Sequence, residues 1–412
     1  AQVVTRVLGV AEWEILRTLS HTLGPHGHRL VREDGELQVG GNGRFLSRYR
    51  FAHALFQEYV YHDLGPGERR LLHGEVALAL EQAYAGQSDA VAAELAGHYA
   101  EAGHRDKAIE FALCAGHQAR LAYANREAIA YYERVLELLP APPLSSPPVG
   151  GIEGGPPTTP SPEHLTSPPP GGTEGGQVER LEALTCLGQV HFALGEMPAA
   201  EAHLKQAIAL SEEIALPPRE RVRLLHWLAE VLYHQGRLEE EMCVAQRGLR
   251  LLDDDAESVE AALMLHHLAV CYVFAGDRQM ALSDQISRFF LLLPYSEVLI
   301  PVYQHMIAYC IMHKDIARAK HQLQILQEHA TRRHDLRALA QVNLSTSLLL
   351  LNSGDCCGAL LELQQGLKLA TRIGDTRAIL DNLANQLEVK EWLGDLQAVE
   401  EDARELLNIA ER

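Results

Sequence analysis

A turn residue recurs along the C-terminal half of this chain at nearly constant spacing: Gly195, Gly236, Gly276, Lys314, Gly354 and Gly394, 38 to 41 residues apart. Five residues after each come Ala200, Glu241, Ala281, Ala319, Ala359 and Val399, small in four of six cases. The clearest unit is LEALTCLGQVHFALGEMPAAEAHLKQAIAL, Leu181 to Leu210. Its Leu184, Leu187, Gly188 and His191 share one helical face at i, i+3, i+4 and i+7. Gly195-Glu196 breaks the chain, and Pro198 sits in a first helical turn, where its missing N–H costs little. Ala200, Leu204 and Ala207 then line the inner face of a second helix. Gly188 and Ala200 are small enough for two antiparallel helices to approach closely. Such a hairpin cannot bury its apolar faces alone, so a steady repeat of it dictates a stack.

The pattern resembles the tetratricopeptide repeat, with helices about a turn longer than that family's unit of about 34 residues. The expected fold is therefore all-α, a superhelical solenoid of helical hairpins. Residues 92–139 make tighter hairpins on the same logic: Leu95, Ala96, Tyr99, Gly103 and Ala108 fit the template, and Gly116, Ala128, Tyr132 and Pro140 fit it again. One helix, from Asp106 to about Tyr123, serves both.

Composition agrees with helix-on-helix packing. Of 412 residues, 47% are hydrophobic and only 6% aromatic. The 36 basic and 55 acidic residues leave a formal charge of −19, which argues against direct contact of this chain with nucleic acid, since phosphates need a basic face. No apolar run approaches about 20 residues, so no membrane span is expected. The opening AQVVTRVLGVAEWE lacks a secretory leader and an initiator Met, so the chain reads as a piece of something longer. Seven cysteines, an odd count without a C-x-x-C pair, suit a reduced, cytoplasmic protein. The vicinal Cys356-Cys357 pair is read as core filler before redox sensor.

The N-terminal stretch reads as the back half of a winged-helix domain. A helix over Glu12–Leu23 ends at Gly24-Pro25, and extended runs Arg29–Glu33 and Arg48–Phe51 flank Gly35, Gly40, Gly41 and Gly43. YRFAHALFQEYVYHDL then opens a new helix, followed by GERRLLHGEVALALEQAY and AAELAGHYAEAGHRDKAIEFALCAG. From Tyr49 to Pro140 this order resembles the segment behind the nucleotide-binding core of bacterial STAND ATPases, the signal-transduction ATPases with numerous domains. The shared marks are an aromatic-x-His-x-Leu helix start, Arg-Arg-x-Leu-His, and Glu-Leu-Ala-x-His-Tyr. The resemblance implies that His53 contacts the phosphate of ADP when the core is present. An imidazole near a helix N-terminus adds a donor where backbone amides already favour anions. The alternative is that His53 only caps or packs its helix. No G-x-x-x-x-G-K-[ST] occurs in the chain, so it cannot hydrolyse nucleotide itself, and no cofactor is expected in it; ATP or ADP would belong to the parent protein.

From 140 to 177 the composition shifts abruptly: twelve of the nineteen prolines and eight glycines fall in these 38 positions. Nothing there can bury a core or keep helix hydrogen bonds, so it reads as a linker. The expected organisation is a partial winged helix at 1–65, a connecting helix and first hairpins at 66–139, the linker at 140–177, and the period-40 solenoid at 178–412.

No catalytic constellation is present, neither G-x-S-x-G nor H-E-x-x-H, and an enzyme is not expected. His21, His26 and His28 match no metal-site spacing and read as a solvated turn. Glu239-Glu240-Glu241 and Asp253-Asp254-Asp255 read as solvated helix ends. What remains is the concave face, lined by the first helix of each hairpin. The template turns inward Thr185, Gln189 and Phe192, then His226, Glu230 and Tyr233. His266, Val270 and Val273 follow, then Gln304, Ala308 and Ile311, Leu344, Leu348 and Leu351, and finally Ala384, Glu388 and Glu391. The polar members His226, Glu230, Tyr233, His266 and Gln304 are the candidate ligand or partner site, with inter-hairpin packing as the competing role. The expected function is the sensor arm of a STAND-type ATPase. It would bind an inducer or partner protein on the solenoid, contact its own nucleotide-binding core through the winged helix, and self-associate on activation. The alternative is a scaffold for protein–protein interaction without a small-molecule inducer.

Overall fold

The computed structural model describes residues 2–39, 44–140, 172–252, 258–274, 300–312 and 314–410. Most of the 140–177 linker, the Asp253–Asp255 run, Gly276 and Ala281 therefore lie outside the described residues. By compactness the chain divides into two units, 1–118 with 130–183, and 119–129 with 184–412.

In the first unit, short helices Gln2–Leu8 and Glu12–Arg17 precede an antiparallel strand pair, Val31–Val39 with Arg44–Phe51. Both strands are longer than the runs read from sequence. Val31 faces Phe51, and the register shifts between Glu33 and Glu36, around Gly35, whose φ of 91° favours glycine. Helix Ala54–Asp63 buries none of its residues. The core of this unit forms further on, where Leu95, Tyr99, Ala108, Phe111, Ala112 and Tyr132 are buried. Tyr99 and Phe111 stack with centroids 5.7 Å apart. A Cβ on Gly116 would stand 2.6 Å from the Tyr132 ring, so only glycine allows this helix crossing.

The second unit is a stack of helical hairpins. Its helices include Met197–Glu213, Pro218–His234, Leu238–Leu252, Val259–Phe274 and Ile300–Met312. Ile316–Arg333, Leu336–Asn352, Cys356–Ile373, Thr376–Leu393 and Leu396–Ala410 continue the series. Every described turn residue of the period-40 alignment is left-handed: Gly195 at φ 78°, Gly236 at 71°, Lys314 at 62°, Gly354 at 84° and Gly394 at 78°. The position five residues on is buried at Ala200, Glu241, Ala319 and Ala359 and half-buried at Val399. Helix Gly172–Ala193 starts inside the stretch read as linker. After Pro170 no proline remains to block its hydrogen bonds.

A second period, unseen in the sequence reading, punctuates the C-terminal hairpins. Asp315, Asp335, Asp355, Asp375 and Asp395 stand every twenty residues, each accepting a hydrogen bond from the backbone N–H three residues on, at 2.8–3.2 Å. Each follows a left-handed residue, Lys314, His334, Gly354, Gly374 or Gly394. The pair ends one helix and caps the next.

The stack also touches itself beyond nearest neighbours. Asn125 donates from Nδ2 to the Gly374 carbonyl at 3.3 Å, and the Arg377 guanidinium lies over the Phe192 ring at 5.2 Å. No described helix is long and apolar enough to cross a membrane.

Candidate functional site

Helix Pro218–His234 starts with a proline at its first position and packs Val222, Leu225, Ala229 and Leu232 into the stack. Its other face carries Glu230, Tyr233 and His234 into a cavity of about 160 Å³ in the second unit. Gln304, Leu344, Leu348, Arg377, Asp381 and Asn385 complete the lining. The contributions move steadily along the helices. The first helix gives its C-terminal half, Leu336–Asn352 its middle, and Thr376–Leu393 its N-terminal half, as expected when each hairpin is rotated on the last. That rotation explains one difference from the sequence template. Ala384, Glu388 and Glu391 are exposed, and Arg377, Asp381 and Asn385 take the inward places.

Arg377 dominates the electrostatics of the cavity. It sits 3.6 Å from Asp381 and contacts His234 Nε2 at 3.3 Å through Nη1. Its Nε is buried without a hydrogen-bond partner. Burial works against its charge, but Asp381, Asp375 and Glu230 outweigh that and hold the guanidinium above its ordinary value. Burial pushes the carboxyls of Glu230 and Asp381 up, with Arg377 opposing in both cases. Burial also raises the Tyr233 phenol, helped by Glu230. The cavity thus presents one fixed cation, amides from Gln304 and Asn385, a phenol and two carboxyls.

Directly behind Glu230 lies a chain of buried ionisable groups. His267 donates from Nδ1 to Glu241 Oε1 at 2.8 Å, which leaves its Nε2 as an acceptor. His226 donates to that nitrogen from Nδ1 at 3.0 Å. Burial, then the neighbouring His267, drives His226 well below the usual histidine range, so it is neutral. Glu230 Oε1 stands 3.8 Å from His267 Nε2. Glu241 is 0% exposed and its Oε2 has no hydrogen-bond partner. The His266 ring is buried 5.3 Å from that of His267. Beside Glu241, burial pushes the Cys271 thiol up to about 12.

Of the residues singled out in sequence, Glu230, Tyr233 and Gln304 line the cavity together. His226 and His266 are buried and do not line it. His53 belongs to the first unit. It occupies the N-cap of helix Ala54–Asp63 with an extended φ of −133° and no side-chain cap bond, and its ring meets Phe56 edge-on. Reading Glu239-Glu240-Glu241 as a solvated helix end is corrected in part. Glu239 and Glu240 are exposed, but Glu241 is buried in the stack at the position that four of the other five units fill with alanine. Sequence reasoning missed Arg377, Asp381, His267 and Glu241. The one available signal was a glutamate where the repeat demands a small residue.

Residues 179–254 match the tetratricopeptide repeat family. No curated protein matches the chain in sequence. Among solved structures, the fold is similar to a Rap protein complexed with Competence and Sporulation Factor. That pair shows 16% identity and a TM-score of 0.54, covering 87% of this chain and 91% of that one. It is also similar to the Rap conjugation gene regulator of the plasmid pLS20 in complex with the Phr* peptide. Here identity is 15% and TM-score 0.56, over 87% of this chain and 93% of that one. At such identity the likeness is one of fold. Both the family match and these neighbours agree with the repeat solenoid read from the turn spacing.

Proposed function

We propose that this chain is the sensing arm of a regulator and that the cavity of its second unit receives the end of a peptide or of an extended partner segment. One observation carries the reading: the half-buried Arg377 lines the cavity with a buried, unpartnered Nε, amid amide and phenol groups suited to a carboxylate and its last peptide bond. About 160 Å³ holds a chain end and not a whole peptide. The Rap proteins of similar fold were solved with a peptide and a factor bound, which favours the same class of ligand here.

The first unit adds a second element to this reading. Leu55, Phe56, Tyr59 and Val60 of helix Ala54–Asp63 are exposed, an apolar stripe such as a protein partner covers. The resemblance to STAND ATPases names that partner as the chain's own nucleotide-binding core, with His53 at the ADP phosphate and ligand binding on the solenoid releasing the core. A scaffold without inducer is the competing reading.

The test is a melting-temperature titration with hexapeptide mixtures carrying either a free or an amidated C-terminus. The free carboxylate should stabilise wild type, the amide should not, and both Arg377→Gln and Asn385→Ala should lose the response. Equal responses to both mixtures, or a response retained in both variants, would sink the proposal.

A further inference from the structure

We propose that His226, Glu230 and His267 form a binding site for one divalent first-row transition-metal ion, zinc above all, that clamps two adjacent hairpins. The proposal is independent of what the cavity binds.

The geometry comes from the repeat. His226 and Glu230 are four residues apart and so share a helix face, and His267 arrives from the corresponding helix of the next hairpin. One ligand atom from each of the three lies within 4.8 Å of the other two. The two ring nitrogens are 3.0 Å apart, and His267 Nε2 is 3.8 Å from Glu230 Oε1. Tetrahedral zinc, with bonds of about 2.0–2.2 Å, needs ligand atoms roughly 3.3 Å apart, so small rotations of the side chains suffice. All three groups are buried, and Glu230, which also lines the cavity, marks the way in.

Two further features match the chemistry of a metal centre. Glu241 accepts a hydrogen bond from His267 Nδ1–H, which fixes that ring with its Nε2 lone pair facing the trio; carboxylates hold metal-bound imidazoles in the same way. Charge also balances. Two acidic groups, Glu230 and Glu241, are buried here among imidazoles. One divalent cation neutralises both. To bind it, His226 moves its proton from Nδ1 to Nε2, so both imidazoles stay neutral and the ionised Glu230 supplies the third bond. Two nitrogens and one oxygen suit zinc, with the fourth position left to water.

The experiment uses the whole chain, stripped with chelator and dialysed against zinc, with bound metal counted by elemental analysis. Wild type should retain one ion per chain, and cobalt substitution should give the intense visible absorption of a tetrahedral centre. His267→Gln and Glu230→Gln should lose stoichiometric binding. Glu241→Gln should weaken it by about 10–100-fold, and His266→Gln should leave it unchanged. Circular dichroism of the metal-free variants checks that they fold. Failure of wild type to hold zinc, or a cobalt spectrum without tetrahedral features, would overturn the site. Equal binding by His267→Gln and Glu230→Gln would do the same, since the ion would then sit elsewhere among the 21 histidines.

Discussion

The hairpins from Ile316 to Ile373 and those from Pro218 to Phe274 follow one template but bury different chemistry. In the later pair the buried polar groups are all neutral, Gln322, Gln341, Ser345 and Ser347, among Leu326, Leu344, Leu363 and a row of alanines. Each later helix starts on an aspartate cap behind a left-handed residue. In the earlier pair the buried groups include His226, Glu230, Glu241, Glu260, His266 and His267. Helix Pro218–His234 there begins without a side-chain cap. Burying ionisable groups costs free energy unless each finds a partner, and Glu241 Oε2 has none. The contrast separates two tasks within one architecture. The later hairpins are built to hold the stack, and the earlier ones bury ionisable groups where a solenoid has no structural need for them.

The sharpest way to break this comparison is to remove apolar volume from the holding half. Leu363 is fully buried against Leu344 and Val389. Leu363→Ala should cost about 2–5 kcal/mol in denaturant unfolding, from lost transfer energy plus the cavity left behind. A cost below about 1 kcal/mol would mean that this layer collapses freely and does not set stability.

The matching change in the earlier half should behave in the opposite way. In metal-free protein, the triple replacement His226→Leu, Glu241→Met and His267→Leu should leave stability unchanged or raise it by about 1–4 kcal/mol, as replacing buried ion pairs by apolar groups does elsewhere. A loss on the scale of Leu363→Ala would show that the polar chain itself holds the hairpins together.

These two experiments mark where sequence reading worked and where it stopped. The turn spacing was legible because a left-handed turn needs glycine, and a period of glycines cannot arise from packing alone. The period even located Lys314, which adopts the same conformation with a side chain attached. The candidate site was legible only within single helices. Glu230 and Tyr233 share one helix with an obvious polar face, and Gln304 occupies the same row. Arg377 was missed because it reaches Phe192 and His234 across more than one hairpin, a contact no nearest-neighbour template contains. His267 was passed over for His266 because two adjacent histidines differ by about 100° around a helix, and small drifts in register decide which one faces in. Glu241 was aligned at the small position but judged by its acidic neighbours.

Lys314 offers a smaller test on the holding half. A residue with a Cβ pays roughly 1–2 kcal/mol in the left-handed region, and glycine forfeits about 0.5–1 through its looser unfolded chain. Lys314→Gly should therefore stabilise the protein by under about 1 kcal/mol, and Gly354→Ala should destabilise it by a similar amount. Equal losses from both would show that the Lys314 side chain makes contacts that offset its backbone strain.

The smallest effect should come from an ionisable group at the rim of the earlier hairpins. Glu201 sits between Lys205 Nζ at 2.7 Å and Arg237 Nη1 at 2.8 Å, joining its hairpin to the next. Burial pushes its carboxyl up, but hydrogen bonds from Lys205, Arg237 and Gln235 outweigh that and hold it at about 2. A depressed folded value means that the contribution is fully present above the unfolded value, roughly 4.3, and is lost as pH falls towards 2. Because Lys205 is largely exposed and water screens the pair, the contribution should stay below about 1 kcal/mol. Glu201→Gln should thus melt slightly below wild type at pH 7, and the two curves should converge as the pH falls from about 4.5 to 2. Parallel curves across that window would mean that Glu201 gains nothing from its partners on folding. The contrast between Glu201 at the rim, both of whose oxygens find partners, and Glu241, whose Oε2 has none, would then lose its first term.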